Sequence, residues 1–457
     1  MGMFKKSIKM CGLFPFSRTQ LFLELCIFVY FLTSSADLLH IVTGFYKIKP
    51  SHMAALSLFL MLILVRKFQI PKRFLFACGI TLLSLCLSAT QSVHLGRCAG
   101  YIGVWLFQLV CYFLVSFNLI QRFSQKTILK LYTLSFICVG LYATLQVVLS
   151  LFNIYDSWAW QRVRTLARGQ AWTYEPSYYA LYITAYVMYE NAKVIFSISK
   201  KSSLWKIIGI NLLLFVSTST GIIFSYPTFF LLCFVMTWIK RKEMFAAMAW
   251  RRNLYFTLAF AGCLLVGSLS FWSFFKSTFY KFFYYGFMSH SSFTDRWTSL
   301  VLCFKVFLKH PILGVGLGGV GPYLYQQETP YPVSADTLHE MQMYDPMNIL
   351  TEMLASLGVV GLLAFMVIGW RFYRVFYPIL QHPNFSQEEK SHAIALFISL
   401  VMLIFVLQFN QGIFRPYVWI HAGIVYGIFH QLSQKASASF QLQERAEALL
   451  SQTQSQA

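Results

Sequence analysis

Three arginines and one glutamate lie close together in a short segment ahead of an apolar stretch: Arg162, Arg164, Arg168 and Glu175. Guanidinium groups bind phosphate oxygens in a bidentate fork, so the arginines predict a site for an anionic ligand such as a phosphate. A carboxylate can accept a proton from a hydroxyl, which makes Glu175 a candidate catalytic base. The alternative interpretation is that this segment anchors lipid headgroups beside an interfacial belt of Trp and Tyr residues.

The residues after Glu175 are typical of the start of a helix. Pro176 suits the first helical position, and Ser177 is a plausible N-cap. The carboxylate of Glu175 would then lie near the positive end of a helix dipole and close to the arginines.

A second set of candidate residues lies further along the chain. It begins at Arg296 and includes the run from His310 to Gly321, with the glycines Gly314, Gly316 and Gly318. Glycines this dense do not suit a helix interior and allow the backbone to approach a ligand closely. A nucleotide-binding loop is excluded because no Gly-Lys-Ser/Thr follows and no strand-to-helix unit surrounds the run. We interpret His310, beside a proline, as a structural turn residue.

A third set begins at Asn348, at the outer end of an apolar stretch. Gly358 and Gly361 stand three residues apart on one helix face, a spacing that favours close helix packing. Glu352 lies within the same stretch, where an unpaired charge is costly, so we expect it to line a site or to bond a neighbouring helix.

The elements that must position these residues are membrane helices. Hydrophobic residues make up 57% of the 457 residues and charged residues 12%, and the mean hydropathy is +0.59, which excludes a soluble surface. Because a bilayer core takes about 20 apolar residues per helix, we predict an all-α polytopic membrane protein with about twelve transmembrane helices. The approximate spans are 20–39, 53–65, 74–89, 100–120, 128–151, 178–196, 205–216, 222–239, 254–272, 347–370, 394–408 and 418–429.

The net charge of +21 comes from short basic clusters between the spans rather than from a nucleic-acid-binding surface, so no nucleic-acid partner is expected. The clusters alternate along the chain and predict cytoplasmic N- and C-termini. Residues 1–432 then form a single transmembrane domain with long external loops at 153–177 and 276–346. Residues 433–457 form a polar cytoplasmic tail.

The motifs together resemble the signature of the O-antigen ligase and polymerase superfamily. The resemblance is most specific between Arg296 and Gly361: Arg296-Trp297, the His310-Pro311-Ile312-Leu313-Gly314-Val315-Gly316-Leu317-Gly318 run, then Asn348, Gly358 and Gly361. It implies a glycosyltransferase of GT-C-like fold with a long helical periplasmic loop, in the bacterial inner (cytoplasmic) membrane. Such enzymes move an oligosaccharide from undecaprenyl diphosphate to a sugar hydroxyl on the outer face, without a cofactor or a required metal.

The resemblance also suggests roles for individual residues. Arg296, with Arg164 or Arg168, would bind the donor diphosphate and stabilise the departing anion. The catalytic base would come from Glu175, Asp345, Asp336 or His339. The expected partners are the undecaprenyl-diphosphate-linked oligosaccharide, membrane lipids and a chain-length regulator protein.

One departure from the family pattern favours one activity over another. The ligases carry a histidine directly before the asparagine of the last motif, and here that position is Met347, which cannot accept a proton. We therefore expect a polymerase of O-antigen, capsular or exopolysaccharide repeat units. The alternatives are a ligase that transfers the glycan to lipid A core or protein, and, in another class, a membrane transporter or lipid-linked sugar flippase.

Overall fold

In the computed structural model, most of the described residues are helical. The residues described are 16–43, 46–65, 68–154, 156–157, 162–163, 166–196, 204–217, 219–239, 291–329, 333, 337–341, 344–382, 385–410 and 412–456. Their helices are α1 Phe16–Thr33, α2 Pro50–Leu64, α3 Lys72–Ala89, α4 Leu95–Arg122, α5 Gln125–Leu151, α6 Pro176–Phe196, α7 Leu204–Phe215, α8 Thr220–Ile239, α9 Ser291–Lys309, α10 Val320–Glu328, α11 Leu338–Met341, α12 Ile349–Gln381, α13 Gln387–Val406 and α14 Pro416–Gln456. Two short antiparallel hairpins pair β1 Ile41–Thr43 with β2 Tyr46–Ile48 and β3 Arg162–Val163 with β4 Leu166–Ala167.

Eleven of the twelve predicted spans coincide with helices, and the span predicted at 254–272 lies outside the described residues. Five helical segments among the described residues are both long and apolar enough to cross a membrane: Lys72–Ala89, Leu95–Arg122, Gln125–Leu151, Ile349–Gln381 and Gln387–Phe409. The protein is therefore a mostly helical, multi-pass membrane protein. The total of twelve spans and the GT-C-like arrangement stay predictions.

The helices pack through aromatic side chains. Phe376 of α12 stacks on Phe397 of α13 with ring centroids 4.3 Å apart, and Phe74 of α3 stacks on Phe113 of α4 at 4.3 Å. The opposite face of α12 exposes large apolar side chains, among them Leu363 and Met366. A helix that is apolar on both its packed and its exposed faces is suited to lipid rather than to water.

Helix α12 is interrupted at Gly358, where the backbone takes φ 62° and ψ −163°. The chain between α9 and α10 fills the break. The N–H of Val315 donates to the carbonyl of Ala355 at 3.0 Å, and the N–H of Val359 donates to the carbonyl of Pro311 at 2.9 Å. Backbone groups that the break frees are thus bonded within the protein, as a membrane environment requires.

The break corrects the sequence-based interpretation of Gly358 as a helix-packing residue. A Cβ atom at Gly358 would lie 2.3 Å from the carbonyl oxygen of Ile312. A Cβ atom at Gly314, in the loop that fills the break, would lie 2.3 Å from the carbonyl carbon of Ser356. The two glycines let two backbone segments approach each other, which neither segment could do with a side chain there.

We predict that Gly358→Ala destabilises the protein by at least about 2 kcal/mol, because alanine is strained in this backbone region and its methyl group would meet the Ile312 carbonyl. The measurement is the unfolding midpoint of purified protein in detergent. Gly369→Ala in the same helix is the matched control, since a Cβ there meets nothing within 4 Å. Equal destabilisation by the two variants would contradict the assignment of strain to the break.

Candidate active site

A cavity of about 250 Å³ lies where the ends of several helices meet, on the side predicted to face outward. Four charged residues line it: Lys49, Asp345, Glu352 and Arg415. They come from three separate stretches of sequence, around Lys49, from Asp345 to Glu352, and around Arg415. Each stretch belongs to a connection predicted to face outward or to the adjoining helix end. The cavity is therefore where the predicted outward connections converge.

Two cations at the cavity are held by one buried carboxylate. Asp37 accepts from Lys49 Nζ at 2.6 Å and lies 2.6 Å from Arg415 Nη1, and its side chain is only 4% exposed. Burial alone would raise the pKa of Asp37, but Arg415 and Lys49 together lower it below its ordinary value. The Arg415 guanidinium also lies over the ring of Tyr178, 3.7 Å from its centroid. These contacts fix both cations at the cavity wall.

The short connection that carries Arg415 is held by helix α4. Residues 108–114 of that helix form a π-helical segment, a departure from α-helix often found at functional sites. Gln108, the first residue of the segment, donates its side-chain amide to the carbonyl of Phe414 at 2.7 Å. Arg415 is thus anchored through the residue before it as well as through Asp37.

A second ion pair stands beside the cavity. Arg97 of α4 donates through Nη2 to both carboxylate oxygens of Asp345, at 2.7 and 2.6 Å. Burial raises the pKa of Asp345 above its ordinary value, and Arg97 opposes that rise. Asp345, a candidate base from sequence, therefore already has a cationic partner that engages both of its oxygens.

The structure brings together three residues that sequence analysis singled out in two separate loops. Arg168 and Arg296 both lie within electrostatic range of Glu175, and Arg168 also lies within range of Arg296. Burial lowers the pKa of each arginine from its ordinary value, and the charge of Glu175 opposes this. Arg296 also interacts with Tyr178, a cavity residue, so this cluster lies next to the cavity.

Backbone carbonyls position the two arginines. Arg168 Nε donates to the carbonyl of Ser217, in the turn between α7 and α8, at 3.2 Å. Arg296 Nε donates to the carbonyl of Phe409, just after α13, at 3.0 Å. Helix ends leave carbonyls without helical partners, and arginine side chains satisfy two of them here.

The start of α6 differs in one detail from its sequence-based prediction. The helix begins at Pro176, so Ser177 lies inside the first turn and is not the N-cap. Its hydroxyl instead donates to the Glu175 carboxylate at 3.0 Å. Glu175 thus has a hydroxyl partner as well as two arginine neighbours.

The remaining sequence-selected residues have contacts within the protein. The side chain of Asn348 caps α12 by accepting from Thr351 N–H at 3.1 Å, and it donates to the carbonyl of Gln408 at 2.8 Å. His310 lies at the end of α9, with Nε2 3.2 Å from the hydroxyl of Tyr323. These contacts connect α12 to α13 and α9 to α10.

The glycine run approaches protein backbone and side chains. A Cβ at Gly316 would lie 2.7 Å from Cys98 Sγ, and one at Gly318 would lie 2.7 Å from the Tyr101 ring. Gly318 also lines the cavity. A Cβ at Gly361 would lie 2.1 Å from Cβ of Leu357, on the turn before it in α12.

The structure does not describe all of the residues chosen from sequence. Arg164 and Asp336 lie outside the described residues, and so do the side chains of Arg162 and His339. Sequence analysis in turn missed four charged residues that the structure brings to or beside the cavity: Asp37, Lys49, Arg97 and Arg415. The sequence does contain a sign of them, since each lies in or beside a short connection predicted to face outward, where charges are few.

Comparison with known proteins supports the family resemblance. A family model described as O-antigen ligase matches residues 206–366. The match confirms the resemblance to the O-antigen ligase and polymerase superfamily, and members of this family are glycosyltransferase-like enzymes. The matched residues include Arg296, Asp345 and Glu352, whereas Lys49 and Arg415 come from outside them. A comparison with curated proteins gave no match.

We predict that Asp37→Asn lowers the free energy of unfolding by about 3 kcal/mol at neutral pH, because it leaves two largely buried cations without their carboxylate. The pKa of Asp37 is lowered in the folded state, so its stabilisation is complete above the unfolded value of about 3.9 and is lost as pH falls. The difference in unfolding midpoint from the wild type should therefore shrink in acid.

The control is Glu388→Gln, the same loss of charge at an exposed helical position. It should leave the midpoint unchanged at neutral pH. A difference between wild type and Asp37→Asn that stays constant down to pH 3 would contradict the ion-pair explanation.

Proposed function

We propose that the protein is a polymerase that joins undecaprenyl-diphosphate-linked oligosaccharide repeat units into O-antigen, capsular or exopolysaccharide chains on the outer face of the inner membrane. The observation that carries the proposal is the convergence of four cations, Lys49, Arg168, Arg296 and Arg415, around one cavity at the predicted outward end of the helices.

The charges suit the chemistry of such a donor. Cleavage of the glycosyl bond leaves a diphosphate anion, and preorganised cations stabilise charge where it develops. Arg168 and Arg296 share Glu175 as an acidic neighbour, and Asp295 also lies within electrostatic range of Arg296. Arg415 and Lys49 add two cations against the single carboxylate of Asp37. A polyprenyl tail attached to the diphosphate would lie between the apolar helices.

The second candidate is a ligase that transfers the finished glycan to lipid A core or protein. The description of the matching family model, O-antigen ligase, favours it. Met347 disfavours the ligase, because the ligases that the chain resembles carry a proton acceptor at that position. A polymerase and a ligase would use the same lipid-linked donor, so the two candidate functions differ in the acceptor.

The test of the proposal uses lipid-linked single repeat units extracted from cells that lack this chain. Purified full-length protein in lipid nanodiscs should convert them into a ladder of longer lipid-linked chains, resolved by gel electrophoresis. A parallel reaction contains lipid A core as a competing acceptor. A single transfer product on lipid A core without a ladder would favour the ligase, and no product in either reaction would overturn both candidates.

We predict that Arg296→Glu lowers the rate of polymer formation at least about 100-fold, since loss of one group that stabilises a developing anion typically costs that much. The rate is the appearance of chains longer than one repeat. Lys305→Glu is the matched control because it reverses an exposed charge in the same helix. If both variants insert into membranes and polymerise like the wild type, Arg296 does not act on the donor.

A further inference from the structure

One cavity carboxylate has no polar partner among the described residues. Glu352 lines the cavity, and its side chain takes part in no hydrogen bond or ion pair between described residues, although Asp345 and Arg97 lie within electrostatic range. It lies in the first turn of α12, inside a segment apolar enough to span a membrane. An ionisable group in such a place is costly and calls for a functional explanation.

A second polar group with the same property lies one helical turn away. Ser356 is fully buried and lines the same cavity, and its hydroxyl oxygen has no hydrogen-bond partner among the described residues. Residues four apart lie on one face of a helix, so both side chains belong to the same wall. This wall carries a carboxylate and a hydroxyl, the groups that hydrogen-bond sugar hydroxyls.

The other carboxylates of the site are already engaged. Asp37 holds Lys49 and Arg415, and Asp345 accepts two hydrogen bonds from Arg97. Glu175 accepts from Ser177 and neighbours two arginines. A proton acceptor must reach the hydroxyl that it deprotonates, and a carboxylate held by cations is a weaker base. Of these four, Glu352 alone is left with its carboxylate unengaged at the cavity.

We propose that Glu352 is the catalytic base and that Glu352 and Ser356 together bind the acceptor hydroxyl. This inference rests on the proposed function. The acceptor oxygen forms a bond to the anomeric carbon of the donor sugar, and its proton passes to the Glu352 carboxylate. The bond from the anomeric carbon to the diphosphate oxygen breaks, and undecaprenyl diphosphate leaves with the electron pair. Glu352 then returns its proton to water.

The lining offers different groups to the two substrates. Lys49 and Arg415 line the part suited to an anion, and Glu352 and Ser356 form the part suited to a neutral hydroxyl. The position also accounts for the absence of a histidine before Asn348. Glu352 lies four residues after Asn348 and supplies a proton acceptor one helical turn from the start of α12.

The test compares wild type, Glu352→Gln, Glu352→Ala and the control Glu388→Gln in the ladder reaction with extracted lipid-linked repeat units. Glu352→Gln should lower the rate at least about 100-fold, the usual contribution of general base catalysis. Its binding of undecaprenyl diphosphate, measured separately, should match the wild type. Added sodium formate should restore part of the rate in Glu352→Ala, because the small carboxylate can enter the space vacated by the side chain.

Formate rescue is a response that a purely structural role would not give. A ladder undiminished in Glu352→Gln, with an active wild type, overturns the inference alone. Loss of rate together with loss of undecaprenyl diphosphate binding and no rescue by formate also overturns it. A wild-type protein that elongates nothing overturns the proposed function first, and the inference with it.

Discussion

Charges buried at the end of an apolar helix bundle have few water molecules to solvate them, so a charge without a partner inside the protein is costly. The pairing of Asp37 with Lys49 and Arg415 meets this requirement for the cavity wall. It ties the end of α1, the first hairpin and the connection before α14 to one another. The positions of the cationic groups follow from this pairing, because flexible side chains become fixed once they share a buried carboxylate.

The same requirement applies to the backbone. The break at Gly358 would leave carbonyl and N–H groups of α12 without partners, and the segment after α9 supplies them. The hydroxyl of Ser88 in α3 adds a hydrogen bond to the carbonyl of Ser356 at the same break. Sequence analysis associated these glycines with a ligand, but in the structure they allow the segment after α9 to pack closely against the broken part of α12. This packing in turn determines the positions of Glu352 and Ser356 at the cavity.

The helices could be predicted from the sequence because apolar composition is a local property that each segment carries by itself. The neighbourhood of Arg168, Glu175 and Arg296 could also be anticipated, since the alternation of basic clusters places both loops on one side of the membrane. The partners of the charged residues could not be predicted from the sequence. Arg97 and Asp345 are 248 residues apart, and nothing near either residue indicates the other. The break at Gly358 was missed for a similar reason, because its compensating hydrogen bonds come from another part of the chain.

The first turns of α12, before the break at Gly358, are held at both ends. Asn348 holds its start to the chain after α13, and the inserted segment from Pro311 to Val315 holds its end. The wall that carries Glu352 therefore cannot shift without breaking backbone hydrogen bonds. Lys49 and Arg415, in another part of the lining, are held by side-chain ion pairs and not by backbone hydrogen bonds. We therefore expect the cavity to adapt to sugars of different size by movements around Lys49 and Arg415, while the first turns of α12 stay in place.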